Sequence, residues 1–238
     1  MANELSKPNK ITVGGGLHSR LKAAEVLKEI TPQVDVRQFP NRLSIIVDFS
    51  GSMDEGATGS WKDDNRKSKL DLLKEAVQDF ALRSNPQDTA IAVESFPRGF
   101  RVELTNDTQQ IYMRMIGAST LGSTPMSEGM YGALDNHSPT RAMLISDGDH
   151  DSSDDPFRAA EKYKSKEIIV DTVHIGNSTR GEEALKRIAA ITGGLYIKFK
   201  DVSSFATSFH WLLPESRAQI AGMLPYEVSN LLECDEVK

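Results

Sequence analysis

The sequence predicts an α/β fold: a doubly wound, mostly parallel sheet flanked by helices, with one antiparallel edge strand. Three observations carry that expectation. Short apolar runs alternate with segments whose apolar residues recur at helical spacing, as parallel βαβ construction requires. Two of those runs, Leu43-Ser44-Ile45-Ile46-Val47 and residues 142–146, lead directly into loops rich in Asp, Ser and Gly, and open α/β sheets bind their ligands at such strand ends. Finally, Pro97-Arg98-Gly99 turns one strand straight into the next, a connection that only antiparallel neighbours allow.

Taken in order, residues 1–40 are an N-terminal extension with one helix expected over 17–30. Gly14-Gly15-Gly16 leads into it but lacks the Gly-Lys-Ser/Thr ending of a phosphate loop, so nucleotide binding is not expected. After the first strand, Leu70, Leu73, Val77, Phe80 and Ala81 recur at helical spacing, and 67–83 should lay one face on the sheet. Residues 89–96 read as a strand and 100–104 as its partner across the turn. Helices are expected over 107–117 and 125–134, a strand over 142–146, a helix opening at Asp155-Pro156, and a strand over 168–175. Thr179-Arg180-Gly181-Glu182 has the form of a capping box ahead of Leu185, Ile188 and Ala189. Gly193-Gly194 should end that helix, with a last strand at 195–199 and a last helix at 202–213. The tail, 214–238, carries Ile220, Met223, Leu224, Tyr226, Val228, Leu231 and Leu232, too much apolar surface to remain solvated. The organisation read from the sequence is therefore extension 1–40, domain 41–213 and amphipathic tail 214–238.

Composition narrows the function classes. A chain of 238 residues buries roughly 70–75% of its unfolded surface, enough for one core. Hydrophobic content of 39% and charged content of 26% are ordinary for a globular protein. No apolar run approaches the ~20 residues of a membrane span, so membrane insertion is not expected. The first residues lack a hydrophobic signal core and Cys234 is the single cysteine, which together point to the cytoplasm. A net charge of -6 and a pI near 5.4 argue against a nucleic-acid partner.

The chemistry concentrates in three loops. Asp48-Phe49-Ser50-Gly51-Ser52 sets one carboxylate and two hydroxyls in a tight loop behind the first strand, Gly122-Ser123-Thr124-Pro125 adds a third hydroxyl, and Ile145-Ser146-Asp147-Gly148 adds a second carboxylate. Right-handed crossovers would bring Asp48 and Asp147 to the same end of the sheet. Each piece alone also reads as ordinary turn chemistry: Thr124-Pro125 as an N-cap followed by proline, Ser146-Asp147-Gly148 as a turn. In this order and behind these elements, the three make an all-oxygen set suited to a hard cation. Mg²⁺ fits best, with Mn²⁺ or Ca²⁺ as alternatives, and the absence of His and Cys from the set disfavours zinc.

The constellation resembles the metal-ion-dependent adhesion site of von Willebrand factor type A (VWA) domains, of the intracellular, prokaryotic-like kind. The pattern Asp-x-Ser-x-Ser, distant Thr, later Asp falls on Asp48, Ser50, Ser52, Thr124 and Asp147. The resemblance covers roughly residues 41–213. It implies that these five residues bind the ion, that a protein partner completes its shell with an Asp or Glu, and that the protein is an adaptor or regulatory subunit rather than an enzyme. It further implies membership of an AAA+ ATPase-linked or tellurium-resistance-like stress assembly.

The competing reading is a Mg²⁺-dependent phosphatase or other hydrolase using the acids around Asp149 and Asp151, but no Gly-x-Ser-x-Gly elbow or triad accompanies the serines. The tract 147–158 imitates an EF-hand, yet Ser152 stands where the obligatory Gly belongs and Arg158 where the bidentate Glu belongs. Its extra carboxylates are expected as an acidic rim or as a cap for the helix at Pro156. His150 is expected at the surface and His174 in the core. Trp61, in the long loop 54–66, is a candidate partner anchor.

Overall fold

A computed structural model describes residues 35–56 and 67–199. The expected helices at 17–30 and 202–213, Trp61 and the tail lie outside those residues. The chain divides into two compact units, Met1–Asp35 and Val36–Lys238, and the sheet belongs to the second.

The first strand, β1 (Asn41–Asp48), is buried from Leu43 to its end, which is why residues 43–47 are apolar but for Ser44. Its pleat splits the side chains. Leu43, Ile45 and Val47 join one core cluster, and Ile46 joins the other. A 3₁₀ turn at Gly51–Asp54 follows, and then α1 (Lys69–Arg83). This helix starts two residues later than the periodicity predicts, because Ser68 is the N-cap and forms a reciprocal capping box with Asp71. The chain continues through β2 (Thr89–Phe96), β3 (Arg101–Thr105), α2 (Thr108–Ile116), α3 (Met126–His137), β4 (Arg141–Ser146), α4 (Pro156–Ser165), β5 (Ile169–Ile175), α5 (Thr179–Thr192) and β6 (Tyr196–Phe199).

The sheet order is β3-β2-β1-β4-β5-β6. Only β3 is antiparallel, against β2, as the Pro97-Arg98-Gly99 turn predicts. Leu73, Val77, Phe80 and Ala81 of α1 and Ile111 and Met115 of α2 pack with one face of the sheet. Met126, Met130 and Leu134 of α3, Ala160 and Tyr163 of α4, and Leu185 and Ile188 of α5 pack with the other. The fold is thus the doubly wound α/β class expected. The chain leaves β1 toward β2 and returns to β4 on its other side, so the switch point of the sheet lies between β1 and β4. Asp48 and Asp147 stand at the carboxyl ends of those two strands.

One expected cap is corrected, and one alternative reading is not met. Ser178, not Thr179, caps α5, accepting from the Gly181 amide, and Glu182 instead pairs with Lys186 and Lys198. Thr124 does not cap α3: Pro125 occupies the cap position and offers no side-chain bond.

Candidate metal centre

The loop after β1 is fixed from three sides. The Phe49 amide donates to the Phe96 carbonyl at 2.8 Å, the Leu121 amide to the Phe49 carbonyl at 2.5 Å, and the Gly51 amide to the Gly122 carbonyl at 2.9 Å. These bonds seat the segment that carries Thr124 beside the Asp48–Ser52 loop. Within the loop, Asp48 Oδ1 accepts the Ser50 amide at 2.8 Å, and the Ser50 and Ser52 hydroxyls lie 3.0 Å apart.

Asp48 joins this loop to β4. Its Oδ2 accepts the Ser146 hydroxyl at 2.5 Å, and Ser146 Oγ in turn accepts the Gly148 amide at 2.8 Å. Asp48 is completely buried. Burial, with the nearby charge of Asp147 second, pushes its carboxyl from 3.8 up to about 7, against the opposing hydrogen bonds from Ser146 and Ser50. Two carboxylates brought together in a desolvated site are relieved by a proton or by a positive charge beside them.

Asp147 is held by its backbone as well as its side chain. His174, buried in β5, lies with Nε2 2.9 Å from the Asp147 carbonyl. A carbonyl only accepts, so Nε2 carries the proton, and burial holds this imidazole below its usual value and neutral. The expected core histidine thus also props a site residue. Behind it, a Cβ on Gly181 would come within 2.4 Å of the Asp147 carbonyl, and one on Gly148, at φ +92°, within 2.4 Å of Gly181 Cα. Only two glycines let the start of α5 press against this loop. Asp147 Oδ2 meets Lys69 Nζ at 3.1 Å, whereas Oδ1, although buried, has no hydrogen-bond partner among the described residues.

The acidic tract divides its labour. Asp151 Oδ1 accepts the Thr124 amide at 3.2 Å, and the Asp151 amide returns to the Thr124 carbonyl at 3.1 Å. Asp154 accepts the Ser127 amide at 3.0 Å and its hydroxyl, so it caps α3 from a neighbouring loop. Asp155 caps α4, as expected. The tract is therefore less a solvated rim than a clamp on the Thr124 segment: Asp149 and Asp155 are exposed, whereas Asp151 and Asp154 are half-buried. His150, expected at the surface, is half-buried against Phe157.

The structure brings Asp48, Ser50 and Ser52 into one bonded loop, sets Asp147 within charge range of Asp48, and ties the Thr124 segment alongside. The donor set suits a hard cation: oxygen ligands, two carboxylates and a buried oxygen without a partner. Among the described residues no group of three or more His, Cys, Asp or Glu side chains could hold a metal ion, here or elsewhere, so the candidate set relies on its hydroxyls. The described histidines are engaged elsewhere, His137 with Glu94, His150 with the Asp151 carbonyl and His174 with the Asp147 carbonyl. Sequence reasoning missed Ser146, Lys69 and Glu55. A lysine in the first turn of a helix, against the sense of its dipole, is the signal that could have found Lys69.

No family model and no curated protein matches the sequence. Solved structures do. BatB, a conserved hypothetical protein from Bacteroides thetaiotaomicron, matches with a TM-score of 0.60 at 16% identity, over 77% of this chain and 100% of that one. A von Willebrand factor type A protein from Catenulispora acidiphila matches at 0.57 and 20% identity, over 75% of this chain and 43% of that one. The SpRpn10 VWA domain matches at 0.55 and 14% identity, over 70% of this chain and 92% of that one. The chain has a VWA-like fold.

Proposed function

We propose that the protein is a metal-dependent protein–protein interaction module, in which a bound Mg²⁺ grips an Asp or Glu of a partner. The observation that carries this reading is the convergence, at the switch point of the sheet, of two buried carboxylates with the Ser50–Ser52 hydroxyl pair, while Asp147 Oδ1 finds no partner among the described residues. The residues that would hold the ion are Ser50, Ser52 and Thr124 through hydroxyls and Asp48 and Asp147 through carboxylates. The ion would supply a positive centre for a carboxylate ligand. The chain's own part is to bury and orient those oxygens, with Ser146 fixing Asp48 and His174 fixing the Asp147 backbone. The VWA-like fold, common among interaction modules, supports a binding role over catalysis. Within the proposal the protein acts in the cytoplasm as an adaptor or regulatory subunit, an AAA+ ATPase being one partner class and a tellurium-resistance-like stress assembly one setting.

Capture from native lysate tests it. Partners retained in Mg²⁺ should be lost in EDTA and lost again on Asp147→Ala. Truncating one side of such a charge-assisted contact costs about 2 to 5 kcal/mol, roughly 30-fold or more in affinity. A partner retained equally in all three conditions places the interface elsewhere.

A further inference from the structure

Lys69 is the first residue of α1, where the helix dipole disfavours a positive charge. Its side chain is only 9% exposed and contacts two carboxylates, Asp147 at 3.1 Å and Glu55 at 3.3 Å. Lysines are almost never buried unless paired, and nothing in the packing of α1 calls for one here: the apolar face begins at Leu70. The chain goes out of its way to place the ammonium. A bridge pairs Gly56 with Ser68, and the Lys69 amide donates to the Glu55 carbonyl at 3.0 Å, which brings both partners of the ion pair together. Gly176, just after β5 and at φ +122°, lies against the pair: a Cβ there would make ordinary contacts, 3.7 Å from Nζ and 3.7 Å from Asp147 Cβ.

We propose that Lys69 is a resident competitor of the cation, occupying Asp147 when no ion is bound and weakening ion binding when one is. The proposal rests on the cation reading above. With no ion present, Asp48 and Asp147 would face each other uncompensated in a desolvated centre; the ammonium supplies the missing charge and keeps Asp147 in place. Once a divalent ion arrives, the same ammonium repels it across a carboxylate that both of them touch. Glu55, 28% exposed on its side chain, shares the ammonium and offsets only part of that repulsion. A lysine that merely braced the start of α1 would leave ion affinity unchanged on removal, or lower it. A competitor must raise it.

The full chain, with Mn²⁺ as probe, separates the two. In titration calorimetry Lys69→Met should bind Mn²⁺ about tenfold or more tighter than wild type, and Lys69→Arg, which keeps the charge, should bind as wild type does. In thermal melts Lys69→Met should melt below wild type in EDTA, and the gap should narrow in saturating Mn²⁺, as bound ion adds stability to the folded state. Lys69→Gln, which can still donate to Asp147, gives the same affinity comparison should the methionine variant fail to fold. Unchanged or weaker Mn²⁺ binding in the charge-removing variant overturns the competitor role while leaving the cation site standing. Failure of the wild type itself to bind Mn²⁺ overturns both.

Discussion

Asp48 is a carboxyl buried beside another carboxylate. Its carboxyl, raised from 3.8 to about 7 by burial and by Asp147, favours the folded state most when protonated. The stability this contributes is complete below the unfolded value and is lost as pH rises to about 7. Asp48→Asn should therefore be more stable than wild type in EDTA at pH 8, by on the order of 1–4 kcal/mol, and the gain should vanish near pH 4. Urea unfolding at the two pH values checks this, and a variant less stable than wild type at pH 8 contradicts it. Protons and cation compete for the same oxygens, so Mn²⁺ affinity should climb with pH and level off above about 7. The five candidate ligands were legible in the sequence because oxygen donors behind apolar strands form a pattern in one dimension. Ser146, Lys69 and the prop from His174 were not, because those contacts join residues 98, 78 and 27 positions apart.

Between elements, the site depends on how closely loops and helix starts approach. The start of α5 touches the Asp147 loop backbone through Gly148 and Gly181, and a Cβ there meets main chain rather than a yielding side chain. Gly181→Ala should cost about 2 kcal/mol or more in denaturant unfolding and should weaken Mn²⁺ binding by moving Asp147; wild-type stability in that variant would show the contact to be loose. Asp154→Ala removes the cap that α3 borrows, a loss of about 1 kcal/mol for a typical N-cap. Periodicity revealed the elements well, since burial on one side imposes it. Their caps were read less well. The Thr179 box fails because Ser178 stands one residue earlier with the same chemistry, and Thr124-Pro125 fails because the cap comes from Asp154, a residue 27 positions away from Ser127.

For the described sheet as a whole, the core lies on both faces and the site at the rim. The edge hairpin is pinned apart from the site by Glu94, buried in β2, which accepts from Arg101 at 2.9 Å and lies 3.1 Å from His137 Nε2. Burial pushes the Glu94 carboxyl up, but the bonds from His137, Arg101 and Asn136 together hold it below 4.5. Its stability contribution is present above that value and lost as pH falls through the folded one, so Glu94→Gln should flatten the acid limb of the stability profile without changing Mn²⁺ affinity. Right-handed crossovers anticipated that Asp48 and Asp147 would stand at the same end of the sheet; the strand order, and with it the switch point between β1 and β4, is seen only in the structure. The central claim is that these oxygens bind a divalent ion. Titration calorimetry of Mg²⁺ and Mn²⁺ into wild type, Asp48→Ala and Thr124→Ala, each checked for fold by circular dichroism, tests it most directly: one ion bound by the wild type and little or none by the folded variants is the expected result, and equal affinity in all three would contradict it.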